Sequence, residues 1–540
     1  MIPVTMTESI RTAAVIGAGV MGSAIAAHLA GAGLKTHLLD IVPPNLSETE
    51  RGLAKARNRF AEGALEKLLK ARPAAFYDTE AARLIQTGNL DDHLERLREC
   101  DLVIEAIVED LGVKQKLFER IAPFLAPHAI LASNTSGLSI AQMSAALPAE
   151  LRSRFLVLHF FNPVRYMRLL EIAPGPEAQP GLVERMARFG EWLGKGIVYA
   201  KDTPNFVANR IGVYSLMLTM KCMLEEGLSI EQVDKIVGRP MGRPKSAAFD
   251  TADIVGLDTL MHVAKNCEVS LTADEEREVF AMPELVQQLA ARGSLGRKSG
   301  SGFYKKVGSE IQVLDLQTLE YRPQQKVRFD SLGAIKNEED VGKRLKLLVN
   351  ADDVAGRFAW KILSRTLAYS ARQLVNIADD IVNVDRAMRW GFNWDLGPFE
   401  AWDAIGVTES ITRMAQDGIE LPDWVKQVAK AGGSFYSGGA KEPRYFDVNK
   451  RTTSPVQFGA RELRIAALKE SGKVVQQNFG ASLVDLGDGA VCVEVHTKMN
   501  TLDPDVIGMF EKAVEEAEKN FEALVIGNDG EHFGAGANLM

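Results

Sequence analysis

A short apolar run that stops at a glycine turn constrains the fold of this chain most. Residues 13–16 form the run, and Gly17, Gly19 and Gly22 follow it at GxGxxG spacing. Apolar residues at helical spacing come directly after the turn, and a second apolar run ends at Asp40. A strand, a glycine turn, a helix and a second strand are typical of a βαβ unit in a parallel sheet.

The glycine turn and Asp40 together predict an NAD site. Gly17 permits the tight turn, Gly19 lets the backbone approach a pyrophosphate, and Gly22 lets the helix pack closely on the strand. The N-terminus of the helix offers free N–H groups to the phosphates. Asp40 lies about 20 residues further on, where a carboxylate accepts from the ribose 2′-hydroxyl and repels a 2′-phosphate. We therefore expect NAD rather than NADP.

Composition narrows the class of protein. The chain has 540 residues, and a prior of ~150 residues per domain gives roughly three or four domains. The net charge is −8, and basic residues do not cluster in one region of the sequence. The charge therefore does not support a nucleic-acid partner. The four cysteines show no metal or disulfide spacing, so we expect reduced thiols, no metal site and a cytoplasmic protein. We expect no signal peptide in residues 1–11 and no membrane span.

Two later regions resemble each other. Residues 233–258 carry a Val-Asp pair, a turn with Gly and Pro, and an Ile-Val-Gly run, and residues 384–406 repeat this order with Ala-Ile-Gly. Each copy follows a long helical stretch. The pattern predicts two duplicated helical domains. If the two copies pack on each other within one chain, their contact replaces the one that single-copy proteins make by dimerisation. A monomer is therefore one expectation for the oligomeric state.

The predicted architecture is α/β followed by helical domains. A Rossmann-type, doubly wound parallel sheet comes first, with further strands expected at 102–107, 129–132, 155–160 and 168–172, and a charged helix expected over 48–70. The predicted divisions are an NAD-binding domain at 1–202, helical copy 1 at 203–306, a linker at 307–355, helical copy 2 at 356–431, a second linker at 432–480, and a further α/β domain that begins at 481–540.

Four polar residues suggest chemistry beside the glycine turn. If the strands that hold His159 and Glu171 pair across the Asn162-Pro163 turn, the imidazole and the carboxylate meet. A carboxylate partner fixes the tautomer of a histidine and stabilises the imidazolium, as a general base requires. Ser136 and Asn209 offer hydrogen bonds to a reacting oxygen. Taken singly, the first is more often a turn residue and the second a helix-start residue, and spacing alone does not bring the four together.

Several runs resemble the 3-hydroxyacyl-CoA dehydrogenase family. They cover residues 11 to about 306, with a degenerate second helical copy after them. The runs are Ser133-Asn134-Thr135-Ser136, His159-Phe160-Phe161-Asn162-Pro163, Lys201-Asp202-Thr203-Pro204, Asn209-Arg210 and residues 293–304. Two departures are Gly137, where the family often has Ser, and Arg165, where it usually has Pro. They leave the acyl-chain preference open.

The resemblance implies a role for each matching residue. His159 is similar to the catalytic base and Glu171 to its carboxylate partner, while Ser136 and Asn209 match positions that bond the substrate oxygen. The positions that match cofactor contacts and their surroundings are Glu109, Lys114, Asn134 and Asn162. The implied activity is NAD-dependent oxidation of (S)-3-hydroxyacyl-CoA in fatty-acid β-oxidation, with an acyl-CoA thioester as substrate.

The end of the chain resembles the start of the enoyl-CoA hydratase (crotonase) family. Residues 491–495 and 523–526 read as strands, and His532-Phe533-Gly534-Ala535-Gly536 follows the second. By this resemblance the Ala535 N–H is half of an oxyanion hole. The paired carboxylates of that family lie further along, so we expect an incomplete hydratase here and a longer native protein. The resemblance is to bacterial bifunctional β-oxidation proteins with the dehydrogenase first.

Two rival interpretations remain at this stage. One is another NAD-dependent β-hydroxyacid dehydrogenase on the same fold; such chains typically use a lysine-based site and lack the run from His159 to Pro163. The other is a non-catalytic nucleotide-binding scaffold, against which the intact polar set argues.

Overall fold

The structure is a computed structural model that describes residues 10–459, 462–530 and 532–539. The chain forms two compact units, and the boundary between them falls between Gly433 and Ser434. Most of the segment expected to lack a signal peptide lies outside the described residues. In the described part of the chain, no helix combines the length and the apolar character needed to cross a membrane.

An eight-stranded sheet forms the start of the first unit. Its spatial order is β3-β2-β1-β4-β5-β6-β7-β8; β1 to β6 run parallel, β7 runs antiparallel to β6, and β8 runs parallel to β7. The strands are β1 Thr12–Ile16, β2 Lys35–Asp40, β3 Ile85–Asn89, β4 Leu102–Glu105, β5 Ile130–Ser133, β6 Phe155–Phe160, β7 Leu169–Pro174 and β8 Gly196–Tyr199. This is the doubly wound parallel sheet that the glycine turn predicts.

Helices connect these strands. They are α1 Val20–Gly31, α2 Glu48–Arg51, α3 Ala54–Arg57, α4 Arg59–Leu69, α5 Leu111–Ile121, α6 Ile140–Ser144, α7 Ala149–Arg152 and α8 Leu182–Trp192. The single helix expected over 48–70 is wrong, because three short helices occupy it. Leu53 is extended, with φ −99° and ψ 116°, directly after the C-cap Gly52. Its backbone therefore interrupts the helical hydrogen bonds.

Two helical arrays follow the sheet. The first contains α9 Ala208–Glu226, α10 Ile230–Val237, α11 Phe249–Val255, α12 Leu257–Ser270 and α13 Glu284–Ala291. The second contains α16 Val354–Ile377, α17 Ile381–Gly391, α18 Pro398–Ile405, α19 Val407–Gln416 and α20 Asp423–Lys430. The long helices α9 and α16 pack on each other, with the rings of Tyr214 and Tyr369 stacked at 3.8 Å.

The segment between the arrays is more regular than expected. It contains β9 Tyr304–Val307, β10 Glu310–Leu314, β11 Tyr321–Pro323, α14 Asp330–Ala334 and α15 Val341–Val349. The linker predicted at 307–355 therefore holds regular structure, and it has a buried apolar side formed by residues such as Val313, Leu345 and Leu348.

The second unit contains two small sheets. The first has strands β12 Tyr436–Ser437, β13 Arg444–Asp447 and β14 Thr452–Pro455, and α21 Ile465–Glu470 follows it. The other has spatial order β15-β16-β17-β18, with strands β15 Val474–Gln477, β16 Ala481–Gly487, β17 Ala490–Val495 and β18 Ala523–Gly527, and α22 Pro504–Asn520 packs on it. Because β15 pairs with β16, the predicted linker at 432–480 contributes to this sheet.

Candidate active site

The side chains of His159, on β6, and Glu171, on β7, are buried and lie within ion-pair distance of each other. The antiparallel register places the two residues directly opposite each other. His159 Nδ1 lies 2.7 Å from Glu171 Oε2, and the two residues are 4 % and 0 % exposed. Facing residues of an antiparallel pair project from the same side of a sheet. The imidazole and the carboxylate were expected to meet only if their strands paired across the Asn162-Pro163 turn. The two strands do pair in this way.

The second carboxylate oxygen of Glu171 anchors helix α9. Glu171 Oε1 accepts hydrogen bonds from the backbone N–H of Val207 at 3.1 Å and of Ala208 at 2.8 Å. A helix N-terminus carries unpaired N–H groups and positive potential, so an anion is stable there. One carboxylate thus joins the imidazole, the sheet and the first residues of copy 1.

The imidazole is held in a defined orientation. Its ring lies 4.6 Å from the Phe161 ring and 5.7 Å from the Phe206 ring, measured between centroids. Because Nδ1 lies 2.7 Å from a carboxylate oxygen of Glu171, we assign the proton to Nδ1, which leaves the Nε2 lone pair as the acceptor. Within the described residues, Nε2 has no hydrogen-bond partner. This nitrogen is chemically able to take a proton from a ligand.

Ser136 and Asn209 lie at the same edge of the sheet domain. Ser136 follows the end of β5, which neighbours β6, and its backbone N–H donates to Glu109 Oε1 at 2.8 Å. Asn209 follows Ala208 in the first turn of α9. Both side chains are half-buried. The topology therefore brings all four predicted residues to the carboxyl edge of the parallel strands, where ligands of open α/β sheets bind.

The glycine turn has the space that a dinucleotide needs. Gly17 has φ +103°, and a Cβ there would lie 2.4 Å from the Ala106 oxygen; a Cβ on Gly22 would lie 1.9 Å from the Gly17 oxygen. The protein's own packing requires these two glycines. A Cβ on Gly19, by contrast, meets nothing within 4 Å. The open space at the start of α1 fits a pyrophosphate that approaches the backbone.

Asp40 lies directly beside this turn. Its Oδ2 accepts from the Ala18 N–H at 2.6 Å, and its Oδ1 accepts from the Ile41 N–H at 2.6 Å. The half-buried carboxylate is thus fixed at the end of β2, next to the space left by Gly19. This arrangement fits a ribose contact and places negative charge where a 2′-phosphate would have to lie.

Lys114 and Glu109 belong to a buried charge network. Lys114 is 1 % exposed, and its Nζ lies 2.6 Å from Glu105 Oε1 and 3.3 Å from Glu109 Oε2. Burial alone would raise the pKa of Glu109, but Lys114 and the hydrogen bonds from Thr135 and Ser136 outweigh burial and lower this pKa. The ionised Glu109 holds the loop that carries Ser136. The Lys114 ammonium is satisfied within the protein.

Asn134 and Asn162 differ in their surroundings. Asn134 Oδ1 accepts from the Phe160 N–H at 2.9 Å, so this side chain ties the end of β5 to the end of β6. Asn162 is exposed in the turn between β6 and β7.

Glu105, which is fully buried at the end of β4, was not among the predicted site residues. Its carboxylate accepts from Lys114, from Ser133 Oγ at 2.5 Å and from the Ile107 N–H at 2.7 Å. The only sequence signal was a single acidic residue inside an apolar strand, and a buried charge of that kind requires partners.

The two departures from the family pattern have local explanations. A Cβ at Gly137 would lie 2.4 Å from Asn205 Oδ1, so this backbone leaves no room for a serine. Arg165 Nη1 donates to the backbone oxygens of Ala74 and Phe76. Its guanidinium also lies over the rings of Tyr77 and Tyr166. Arg165 therefore fastens the β6–β7 turn to the segment after α4.

Ala535 does not offer a free N–H in this structure. Its N–H donates to the Met499 oxygen at 3.1 Å, and Leu502 donates to the Gly536 oxygen at 2.9 Å. The segment pairs with the residues before α22. An oxyanion-hole role would require this hydrogen bond to break.

The fold and the edge site define an NAD-binding dehydrogenase. The chain matches the NAD-binding domain of 3-hydroxyacyl-CoA dehydrogenase over residues 12–203 and the C-terminal domain of that enzyme over residues 206–306. The chain belongs to the 3-hydroxyacyl-CoA dehydrogenase family.

Individual relatives extend over nearly the whole chain. A probable 3-hydroxyacyl-CoA dehydrogenase of Bacillus subtilis is 45 % identical over 99 % of this chain and 68 % of its own length. A putative fatty acid oxidation complex trifunctional enzyme of Rickettsia felis is 32 % identical over 99 % of this chain and 69 % of its own length.

A solved structure shares the fold beyond the first helical array. It is the 3-hydroxybutyryl-CoA dehydrogenase of Escherichia coli, which is 22 % identical, covers 78 % of this chain and 99 % of its own, and gives a TM-score of 0.58. At this identity the likeness concerns the fold alone.

Proposed function

We propose that this chain oxidises (S)-3-hydroxyacyl-CoA thioesters to 3-ketoacyl-CoA with NAD, as the oxidation step of fatty-acid β-oxidation. The observation that carries the proposal is the buried His159–Glu171 pair, with 2.7 Å between Nδ1 and Oε2, at the sheet edge that also holds the glycine turn. Relatives named for this activity support the choice of substrate class.

The proposed mechanism uses His159 as the general base. Its Nε2 takes the proton of the C3 hydroxyl group, and Glu171 stabilises the imidazolium that forms. Bound NAD supplies the hydride acceptor, so the alcohol carbon loses a hydride and the oxygen loses a proton. We propose that Ser136 and Asn209 donate hydrogen bonds to the oxygen as it becomes a carbonyl.

We propose a direct cofactor contact for some residues and an indirect one for others. Gly17, Gly19 and Gly22 form the pyrophosphate cradle, and Asp40 binds the ribose. Lys114 acts through Glu109, because its ammonium is already paired inside the protein. Asn134 positions the ends of two strands, and exposed Asn162 remains a proposed contact at the cofactor edge.

We also propose that residues 1–202 form the NAD-binding domain and residues 203–306 form copy 1, with the acyl-CoA thioester between them. The two copies support a chain that works as a monomer. Ser215 Oγ of α9 lies 3.2 Å from Thr366 Oγ1 of α16, and Tyr214 stacks on Tyr369. Light scattering tests this, and a stable dimer would contradict it. A cytoplasmic location remains a prediction.

We propose that residues 481–540 belong to a hydratase-like domain. The support is the sequence resemblance of the segment around Ala535 and the relative named as a trifunctional enzyme.

The test is to give the purified chain NAD with 3-hydroxybutyryl-CoA and, in parallel, with crotonyl-CoA, and to follow NADH. We expect NADH from the hydroxy substrate and none from crotonyl-CoA. NADH from crotonyl-CoA as well would show that this chain hydrates the enoyl substrate. Absence of NADH with 3-hydroxyacyl-CoA of every chain length would contradict the proposed function and favour a binding role.

A further inference from the structure

We infer that Tyr369, in the second helical copy, is a positioning residue for the His159–Glu171 pair and acts through Arg210. The inference rests on the proposed function. It makes copy 2, which carries none of the proposed catalytic residues, a working part of the active site.

Arg210 lies close to the anchor of Glu171. It follows Ala208, whose N–H binds the Glu171 carboxylate, by two residues. The Arg210 side chain is only 3 % exposed, and its Nη2 forms an ion pair with Asp274 Oδ2 at 2.8 Å. A buried guanidinium needs its donors satisfied in a fixed geometry. The position of this side chain therefore fixes the first turn of α9.

Copy 2 supplies two of the acceptors for Arg210. Tyr369 Oη accepts from Arg210 Nε at 2.6 Å and donates to Asp274 Oδ2 at 2.7 Å. Gln373 Oε1, one turn further along α16, accepts from Arg210 Nη2 at 3.0 Å. Burial raises the pKa of Tyr369 far above its ordinary value, so the hydroxyl remains a donor to Asp274.

The backbone before α9 explains why an external anchor matters. Asn205 and Phe206 have φ +62° and +49°, in the left-handed region that side chains rarely adopt. Such a backbone persists only where its surroundings hold it. The Arg210 N–H donates to the Asn205 oxygen at 3.2 Å, and the Phe206 ring contacts His159. Movement of Arg210 would therefore shift both the Glu171 anchor and the packing of the imidazole.

Tyr214 provides a matched control in the same interface. Its ring is stacked on that of Tyr369, with 3.8 Å between centroids and 3° between planes. Its hydroxyl is also buried and bonds to a carboxylate, Glu276, but it makes no bond to Arg210. Loss of either hydroxyl removes a hydrogen bond to a carboxylate. Only the loss at Tyr369 also removes an acceptor of Arg210.

The experiment compares Tyr369→Phe with Tyr214→Phe in the full chain. We expect both variants to lower Tm, and Tyr369→Phe to lower it somewhat more because it loses the additional bond from Arg210. We expect Tyr369→Phe alone to lower kcat, by roughly tenfold, within the ~10²-fold that a 1 Å displacement far from the chemistry costs. The KM for NAD should not change, because the side-chain hydrogen bonds of Arg210 go to Tyr369, Asp274, Gln373 and the Pro204 oxygen and not to the glycine turn or Asp40. Equal kcat values for the two variants would overturn the inference.

A double-mutant cycle separates positioning from general loosening. If Tyr369 acts through Glu171, Tyr369→Phe should cause no further loss of kcat in a Glu171→Gln background, whereas independent effects multiply. Multiplicative losses would overturn the inference. If Tyr369→Phe gives no folded protein, Gln373→Leu removes the other bond from copy 2 and is read in the same way. A wild-type chain that forms no NADH would instead refute the proposed function.

Discussion

The two helical copies share a scaffold and differ at the site. Ser229 and Asp380 cap the N-termini of α10 and α17 with their side chains. Asp234 accepts from the Ala248 and Phe249 N–H groups at the start of α11. Asp385 accepts in the same way at the start of α18, from the N–H groups of Phe399 and Glu400. Gly256 and Gly406 both end their helices with φ +96°.

The difference appears at the position of Asn209. Asn209 and Trp360 are separated by the same number of residues as the two caps Ser229 and Asp380. They therefore occupy equivalent positions in the two copies. Asn209 is half-buried beside the Glu171 anchor, whereas Trp360 is 6 % exposed. Trp360 Nε1 donates to Asp417 at 2.7 Å, and Arg413 lies 4.0 Å above the ring. Copy 2 thus has the same caps as copy 1, while a packing residue occupies the place of the proposed site residue Asn209.

Among the changes that distinguish the two copies, substitution of Glu171 should have the largest effect on kcat. Glu171 binds the backbone at the start of copy 1. In Glu171→Gln the amide oxygen still accepts from the α9 backbone, but the amide N–H₂ faces His159 Nδ1 and imposes the wrong tautomer. We expect kcat to fall roughly 10³- to 10⁴-fold, as for a carboxamide in a catalytic triad. Steady-state NADH formation measures it. Glu177→Gln, at an exposed ion pair, is the control, and equal activity of the two variants would remove Glu171 from the mechanism.

The matched pair Asn209→Ala and Trp360→Ala tests the comparison itself. We expect Asn209→Ala to lower kcat about 10²-fold, the usual cost of losing one hydrogen-bond donor to a reacting oxygen, with little change in stability. We expect Trp360→Ala to lower the free energy of unfolding by about 3–5 kcal/mol, because it leaves a cavity, with kcat of the folded fraction unchanged. Denaturant titration and initial rates give both quantities. The comparison fails if the two variants show the same pattern.

Substitution of Asp40 tests whether the sheet domain alone, without either helical copy, determines the preference for NAD over NADP. Asp40→Ser removes the carboxylate beside the glycine turn. We expect the ratio of kcat/KM for NAD to that for NADP to fall roughly 10- to 10²-fold, since a hydrogen bond to a charged group is worth about 1.5–3 kcal/mol. An unchanged ratio would mean that the ribose lies elsewhere.

The smallest effect concerns the cap that copy 2 retains. Asp385→Ala leaves two N–H groups of α18 without their acceptor. We expect a loss of about 0.5–2 kcal/mol in the free energy of unfolding, as for other helix caps, and unchanged kcat. Asp352→Ala, at an exposed position, is the control for thermal melting. A fall in kcat for Asp385→Ala at unchanged Tm would show that copy 2 influences catalysis by another route.

Local patterns predicted much of this fold. The glycine turn, β1 and Asp40 are close in sequence, and their geometry follows from the βαβ unit. The pairing of β6 with β7 was predicted only as a condition, and the structure places His159 opposite Glu171. Strand β3, with the sequence Ile-Gln-Thr-Gly-Asn, lacks an apolar pattern and was not predicted.

The remaining features depend on long-range contacts. Nothing in the sequence near Glu171 indicates that its second oxygen binds the backbone of α9. The bond from Arg210 to Tyr369 joins residues of different copies, and no local rule predicts it. The 307–355 segment was predicted as a linker, although some of its apolar residues, such as Val313, Leu345 and Leu348, are buried. Contacts between distant parts of the chain, and not the local sequence, determine these features.

The most direct test of the account is NADH formation from (S)-3-hydroxybutyryl-CoA by the wild-type chain and by His159→Ala, with NAD binding measured for both by calorimetry. The account predicts that wild-type protein forms NADH, that the variant loses at least about 10³-fold in kcat because Glu171 acts through the same imidazole, and that both bind NAD equally. Near-normal turnover by His159→Ala would contradict it.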